Sequence, residues 1–376
     1  MKKTIVLVDG YQRSGTTLVQ RIFDAHQDIF TLPYEDGLVR AVNYFRRRMG
    51  RQYPGEEYLD EMLRKADHPE LLRFFLPQTM HYTYVDSVRR REVDIRQNGE
   101  DYTVDIDFSK FGQAFDEEVL SYSTMTFYDL IFAYCKSVSI CMGCLESFNN
   151  AKCILLKTPR STYALEYFFN NIDTGYVVYV ARDVRAVYAS MMGLKPKEFR
   201  ESLLEMVPPE IGLRWERDLI LAKELQKRYP DRMTIVRFEE FVEDHMAHYR
   251  RLCANIGVAC DREEVSPTLQ GKKWHGWSSF ESSSGGIDKR AIDRHVAMYD
   301  DDIYGLSVCY LRKSIMDSFC NNTAEKWFVA LFKGRPVSVK WKLLCCVARA
   351  FALRVLTVPF AVSDRLALFF RKYYYA

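Results

Sequence analysis

The residues with the most chemical content stand together near the start of the chain, Gly10-Tyr-Gln-Arg-Ser-Gly-Thr-Thr17. Two glycines five positions apart, directly after the apolar run Ile5–Val8, let the backbone turn so that consecutive N–H groups face one point. A helix opening at that point adds the positive end of its dipole, so the segment is suited to hold a phosphate. In loops that bind nucleoside triphosphates a lysine follows the second glycine and reaches the outer phosphates. Here Thr16 and Thr17 occupy those places, and the cation is Arg13, inside the turn. Helix capping by Ser14, Thr16 or Thr17 accounts for the hydroxyls, but not for Gly10, Arg13 and Gly15 together.

The elements that must position this loop follow from periodicity. Leu18, Ile22 and Phe23 recur at helical spacing, with an expected end near His26-Gln27-Asp28, which completes a strand, loop and helix unit. A second unit starts with the strand Lys152–Lys157; Thr158 reads as an N-cap and Pro159 as the first helical residue, with Leu165, Phe168 and Phe169 as the apolar face. The β-rich run Tyr176–Ala181 ends at Arg182-Asp183 and leads into a helix through Val187 and Met191. A fourth strand, Met233–Arg237, precedes a helix carrying Tyr249, Leu252, Cys253 and Ile256 and closed by Gly257. Alternating strands and helices predict an α/β fold, a P-loop-like parallel sheet covered by helices, with ligands outside the carboxyl ends of the strands. Arg13, Lys157 and Arg182 all follow strands and are expected to converge on one anionic ligand.

Residues 38 to about 150 break this rhythm with charged helical patterns, and Asn98-Gly99 between Val93/Ile95 and Val104/Ile106 predicts a type I′ hairpin. They are read as a mainly helical insertion shaping an acceptor side, within a domain spanning 1–330. Bulk composition excludes other classes. A chain of 376 residues that is 48% hydrophobic builds a sizeable core, and 53 basic against 50 acidic residues leaves +3, too balanced for a nucleic-acid binder. The apolar run after Lys2-Lys3 ends at Asp9 and contains the loop's own strand, so the chain reads as unexported and cytoplasmic. Ten cysteines in this context fit reduced thiols. Cys141 and Cys144 have C-x-x-C spacing but lack a second pair, so they read as packing residues and no metal site is expected.

At these residues the chain resembles the sulfotransferases that use 3′-phosphoadenosine 5′-phosphosulfate (PAPS). Tyr11-Gln-Arg-Ser-Gly-Thr-Thr-Leu18, with Asp24-Ala-His26 downstream, is similar to the 5′-phosphosulfate loop of tyrosylprotein and carbohydrate sulfotransferases and their bacterial relatives. Val180–Ser190 resembles the family's 3′-phosphate motif, an arginine at a strand end and a serine eight residues later. Leu156-Lys-Thr-Pro159 and Arg237-Phe-Glu-Glu240 stand in the expected order; prolines common in the family are replaced by Gln12 and Val184. The resemblance implies PAPS as co-substrate, held by Arg13, Ser14, Gly15, Thr16 and Thr17 at its 5′ end and by Arg182 and Ser190 at its 3′-phosphate. It implies a hydroxyl acceptor on a carbohydrate, glycolipid or small metabolite. Glu35 is the implied general base, with His26 and Asp36 as alternatives, while Arg13 and Lys157 stabilise charge. Ser279, in the serine-rich stretch Ser278–Gly286, is implied to close over ligand. Trp274 and Trp277 fit either stacking on a base or sugar, or plain packing.

The tail, 331–376, is apolar and basic, with Trp341, Leu344, Phe351 and Leu356 interrupted by Arg349, Arg354 and Arg365. It offers no uncharged stretch of about twenty residues, so it is expected to form helix that lies on an anionic membrane surface, on the core or on another subunit. Two other functions compete: a phosphotransferase of the nucleoside-triphosphate class, and a non-catalytic nucleotide-binding protein at a membrane surface.

Overall fold

A computed structural model describes residues 2–39, 42, 55–66, 104–192, 207–260, 262–274, 286–298, 308, 310–320 and 337–357. The Asn98-Gly99 hairpin, Trp277 and Ser279 lie outside the described residues, whereas Val104 and Ile106, assigned above to the hairpin's second strand, have no regular structure.

The chain forms two compact units. The first comprises Met1–Val180, Leu221–Ser278 and Ser282–Asp288; the second comprises Ala181–Ile220, Ser279–Glu281 and Lys289–Ala376. In the first lies a five-stranded parallel sheet of β1 (Thr4–Gly10), β2 (Ile29–Thr31), β3 (Cys153–Lys157), β4 (Gly175–Ala181) and β5 (Met233–Arg237), ordered β2-β3-β1-β4-β5. β1 sits centrally, pairing Thr4 with Cys153 and Val8 with Lys157 on one side, and Ile5 with Gly175 and Gly10 with Val180 on the other. Ile5, Val6, Leu7 and Val8 are wholly buried, as are Ile154, Leu155 and Leu156, so these strands are apolar throughout rather than alternating. Removing such β-branched and leucine side chains from water supplies most of the drive for the layer, at roughly 25 cal/mol per Å² of apolar surface.

Among the described residues of the first part of the chain are the helices α1 (Thr16–Phe23), α2 (Gly55–Lys65), α3 (Phe111–Val119), α4 (Phe127–Cys141), α5 (Leu145–Asn150) and α6 (Leu165–Asn171). Thr126 and Asp129 form a reciprocal capping box that starts α4, whose face from Phe127 to Cys141 is largely buried. α7 (Val184–Met192) and α8 (Pro209–Arg228) precede β5, and α9 (Phe238–Glu243) and α10 (His245–Ile256) follow it. α10 ends where Gly257 adopts φ 84°, as the expected C-terminal glycine requires. A short hairpin, β6 (Thr268–Leu269) with β7 (Lys272–Lys273), turns through Gln270 and Gly271, both at positive φ. In the second unit α11 (Lys313–Phe319) and α12 (Val337–Thr357) follow.

The alternation of strands and helices matches the sequence reading, with two differences. β2 was not expected; it is three residues long and joins the sheet edge only through β3. Thr158 is not an N-cap: after a 3₁₀ turn over Thr162–Ala164, the helix opens at Leu165. The Thr158 hydroxyl is committed elsewhere, donating to Asp36 Oδ2 at 2.7 Å, and Arg160 takes a left-handed backbone at φ 68°, which breaks any helix begun at Pro159.

Candidate functional site

The loop between β1 and α1 is built by conformations few residues accept. Arg13 stands at φ 67° and Gly15 at φ 93°, and the Ser14 N–H donates to Tyr11 O at 3.1 Å to close the turn. A Cβ on Gly15 would lie 2.2 Å from Cδ2 of Phe238, and one on Gly10 would lie 2.4 Å from Val180 O. Both glycines are therefore required by close approach as well as by backbone shape. α1 starts at Thr16 with Gly15 O accepting from Leu18 N at 2.9 Å. The N–H groups of Thr16 and Thr17 belong to the first turn, where no preceding turn supplies a carbonyl. Ser14 is fully buried in the same turn, and its hydroxyl has no hydrogen-bond partner among the described residues.

Lys157 comes to this mouth from β3. Its side chain is 2% exposed, and Nζ donates to Thr17 Oγ1 at 3.1 Å. A primary ammonium thus stands at the start of α1, supplied from the neighbouring strand rather than from the loop. The connection after β3 is strapped to β1: Thr158 N–H donates to Val8 O at 3.1 Å and Arg160 N–H to Gly10 O at 2.9 Å. The buried Asp9 carboxylate accepts from Ser161 N and Thr162 Oγ1, each at 3.0 Å.

Glu35 is held beside the same strand end. Asp36 N–H donates to Lys157 O at 3.1 Å, while the Asp36 carboxylate accepts from Thr158 Oγ1 and, at 3.1 Å, from Leu38 N–H. On the approach side the buried α1 residues Gln20 and Arg21 donate to carbonyls of the preceding stretch, Gln20 Nε2 to Leu32 O at 2.7 Å and Arg21 Nη2 to Pro33 O. Asp36 is thereby a structural fastener, and Glu35, half-buried, follows its geometry. His26 is equally committed: Nδ1 accepts from Asp28 N–H at 3.0 Å, so Nε2 carries the proton and donates to Ala259 O at 2.8 Å.

In the second unit, Arg182 donates from Nη2 to Ala291 O at 2.9 Å, and its carbonyl accepts from Trp215 Nε1 at 3.0 Å. Asp183 Oδ1 accepts from Arg185 N–H at 2.8 Å at the start of α7, and a buried Arg185–Asp183 ion pair, also donating to Cys320 O, locks that corner. Ser190 is 5% exposed on α7. Burial lowers the pKa of His295 to about 4; Asp183 opposes the shift, and Arg182 and Arg185 add to it. Trp274 is buried, and its backbone N–H donates to Pro267 O at 3.1 Å.

The thiols are quiet. Burial pushes Cys141 and Cys153 up to about 11, which keeps both protonated at neutral pH. Among the described residues no cluster of three or more His, Cys, Asp or Glu is arranged to hold a metal ion.

A family model described as "Sulfotransferase family" matches residues 6–262, more than half of the chain. The chain belongs to the sulfotransferase family. Among solved structures this sulfotransferase is similar to the sulfotransferase domain of the Synechococcus PCC 7002 olefin synthase, at 15% identity and TM-score 0.42, over 79% of this chain and 89% of that one. It is similar to the sulfotransferase domain of the curacin biosynthetic pathway at 15% and 0.42, over 78% and 90%. A third is sulfotransferase STF1 from Mycobacterium tuberculosis H37Rv, at 15% and 0.35, over 79% and 77%. A search of curated proteins found no match.

The residues that sequence reasoning singles out, Arg13, Ser14, Gly15, Thr16, Thr17, Glu35 and Lys157, lie within the first unit around the ends of β1 and β3, and Arg182 and Ser190 lie in the second. Asp9, Gln20, Arg21 and the fastening role of Asp36 escaped it. The only signal was polar residues at positions where the helical or strand pattern called for apolar ones, as with Gln20 and Arg21 between Val19 and Ile22.

Proposed function

We propose that this sulfotransferase moves a sulfonate from PAPS to an acceptor hydroxyl. The observation that carries the reading is the ammonium of Lys157 at Thr17 Oγ1, 3.1 Å away, beside a loop that lacks its own lysine. Phosphoryl transfer asks for a cation on outer phosphates and for a metal ion to gather their charge. A sulfonate carries less negative charge, and the cations here are an arginine in the turn and a lysine from the next strand. The residues fit the donor: a left-handed turn with no room for a Cβ at Gly15, and a buried Ser14 hydroxyl still to be satisfied.

When bound, PAPS supplies an activated S–O bond. Glu35 takes the proton from the acceptor hydroxyl as that oxygen forms its bond to sulfur and the bond from sulfur to the bridging phosphate oxygen breaks. The products are a sulfate ester, adenosine 3′,5′-bisphosphate and the proton left on Glu35. Arg13 and Lys157 stabilise charge growing on the bridging oxygen, and the N–H groups of Ser14 to Thr17 hold the 5′-phosphate. Arg182 and Ser190 select the 3′-phosphate. Residues 38–150 shape the acceptor side, for a carbohydrate, glycolipid or small metabolite.

The test is differential stabilisation. Adenosine 3′,5′-bisphosphate should raise the melting temperature well above the shift given by AMP or ATP, and Arg182→Ala should erase the difference. Equal shifts for the three nucleotides would overturn the reading, and magnesium-dependent ATP turnover would replace it with a phosphotransferase. Incubation with isotopically labelled donor and a cell extract then identifies the acceptor through the labelled product.

A further inference from the structure

One face of α12 is apolar and exposed among the described residues. Trp341 is 65% exposed, Leu344 55% and Phe351 68%, three of the four large apolar side chains that stand out in solvent among the described residues. With the exposed Ala348 and Ala352 they fall at spacing i, i+3, i+7, i+10 and i+11, which is a single stripe on a helix. The opposite side is anchored: Ala350 is 2% exposed, and Arg349, beside the stripe, reaches Glu210 at 2.5 Å. An apolar patch of this kind on a folded surface marks an interaction site.

Charge identifies the occupant. α12 contains Lys340, Lys342, Arg349 and Arg354 and no acidic residue, and residues 331–376 hold nine basic residues against Asp364 alone. That net +8 leaves −5 on residues 1–330 from the chain's total of +3. A second copy of the same cationic helix would be repelled, whereas an anionic lipid surface attracts the lysines and arginines and accepts the aromatic and leucine side chains just below its headgroups. Among the described residues no helix is long and apolar enough to cross a membrane, and a charged α12 suits lying in the plane.

We propose that α12 docks this sulfotransferase on an anionic bilayer, with Trp341, Leu344 and Phe351 entering the interface. The inference stands independently of the donor and acceptor assignments above. The test is flotation of the whole chain with phosphatidylcholine vesicles, with and without phosphatidylserine, alongside Trp341 emission taken as the difference from Trp341→Phe. Binding should need phosphatidylserine, weaken at high salt and shift Trp341 to the blue. Trp341→Ser with Phe351→Ser should lower the partition coefficient by at least about tenfold, and reversing Lys340 and Lys342 to Glu by about as much, with melting temperature unchanged. Equal binding to neutral vesicles overturns the electrostatic half. Absence of binding overturns the whole: a dimer that the serine variants dissociate would mean a second copy covers the stripe, and blue Trp341 emission in plain buffer would mean the chain itself does.

Discussion

In the proposed reaction Lys157 stabilises charge and Glu35 removes the proton, and both stand beside the carboxyl end of β3. Lys157 is buried at the mouth of α1, and its own carbonyl and the Thr158 hydroxyl fasten Asp36, next to Glu35. Replacing Lys157 with Met keeps the stem's packing and removes the cation; kcat should fall by about 10²–10³-fold, with a far smaller change in stability. Glu35→Gln should lower kcat by about 10²–10⁴-fold while the dissociation constant of adenosine 3′,5′-bisphosphate stays the same. Calorimetric titration beside steady-state rates separates the two, and a Glu35→Gln protein of normal activity would remove this residue from the reaction.

At the scale of elements, the close seat of α1 against α9 is sensitive to a small change. An added methyl at Gly15 meets the Phe238 ring at 2.2 Å and must also take φ 93°. Gly15→Ala should therefore destabilise the fold by about 2–4 kcal/mol and abolish donor binding, and adding Phe238→Leu should restore part of the stability but little of the binding. Chemical denaturation of the single and double variants measures both. The same scale shows what could be read in advance. β1, β3 and β4 were legible because each contains an uninterrupted apolar run of four to six residues, and β5 because Met233-Thr-Ile-Val236 is rich in β-formers. β2 was not, since Ile29-Phe30-Thr31 has no period of its own and exists only by pairing with a strand more than a hundred residues away. The loop was legible through its two glycines and Arg13. Asp9, Gln20 and Arg21 were hidden because their partners are backbone groups far along the chain, which no local pattern announces. Thr158-Pro159 misled for the same reason, a local capping signal overridden by the distant carboxylate of Asp36.

For the whole molecule, His295 should contribute to acid sensitivity. Burial holds its folded pKa at about 4 against an ordinary 6.5, so the unfolded chain binds the extra proton between those values. Stability contributed by keeping this ring neutral is complete above about pH 6.5 and is lost as pH falls toward 4, by up to about 3 kcal/mol. Thermal unfolding between pH 7 and 4.5 should show the decline, and His295→Gln should flatten it. A slope unchanged in that variant would assign acid sensitivity to other groups. The uneven distribution of charge has a practical outcome. Average charge governs where a protein focuses, but local charge governs what it sticks to, and the last 46 residues hold +8 of it. On a sulfonated chromatography resin near neutral pH the protein should be retained as firmly as a strongly basic one, and it should elute only as salt rises, despite an isoelectric point close to 8.2.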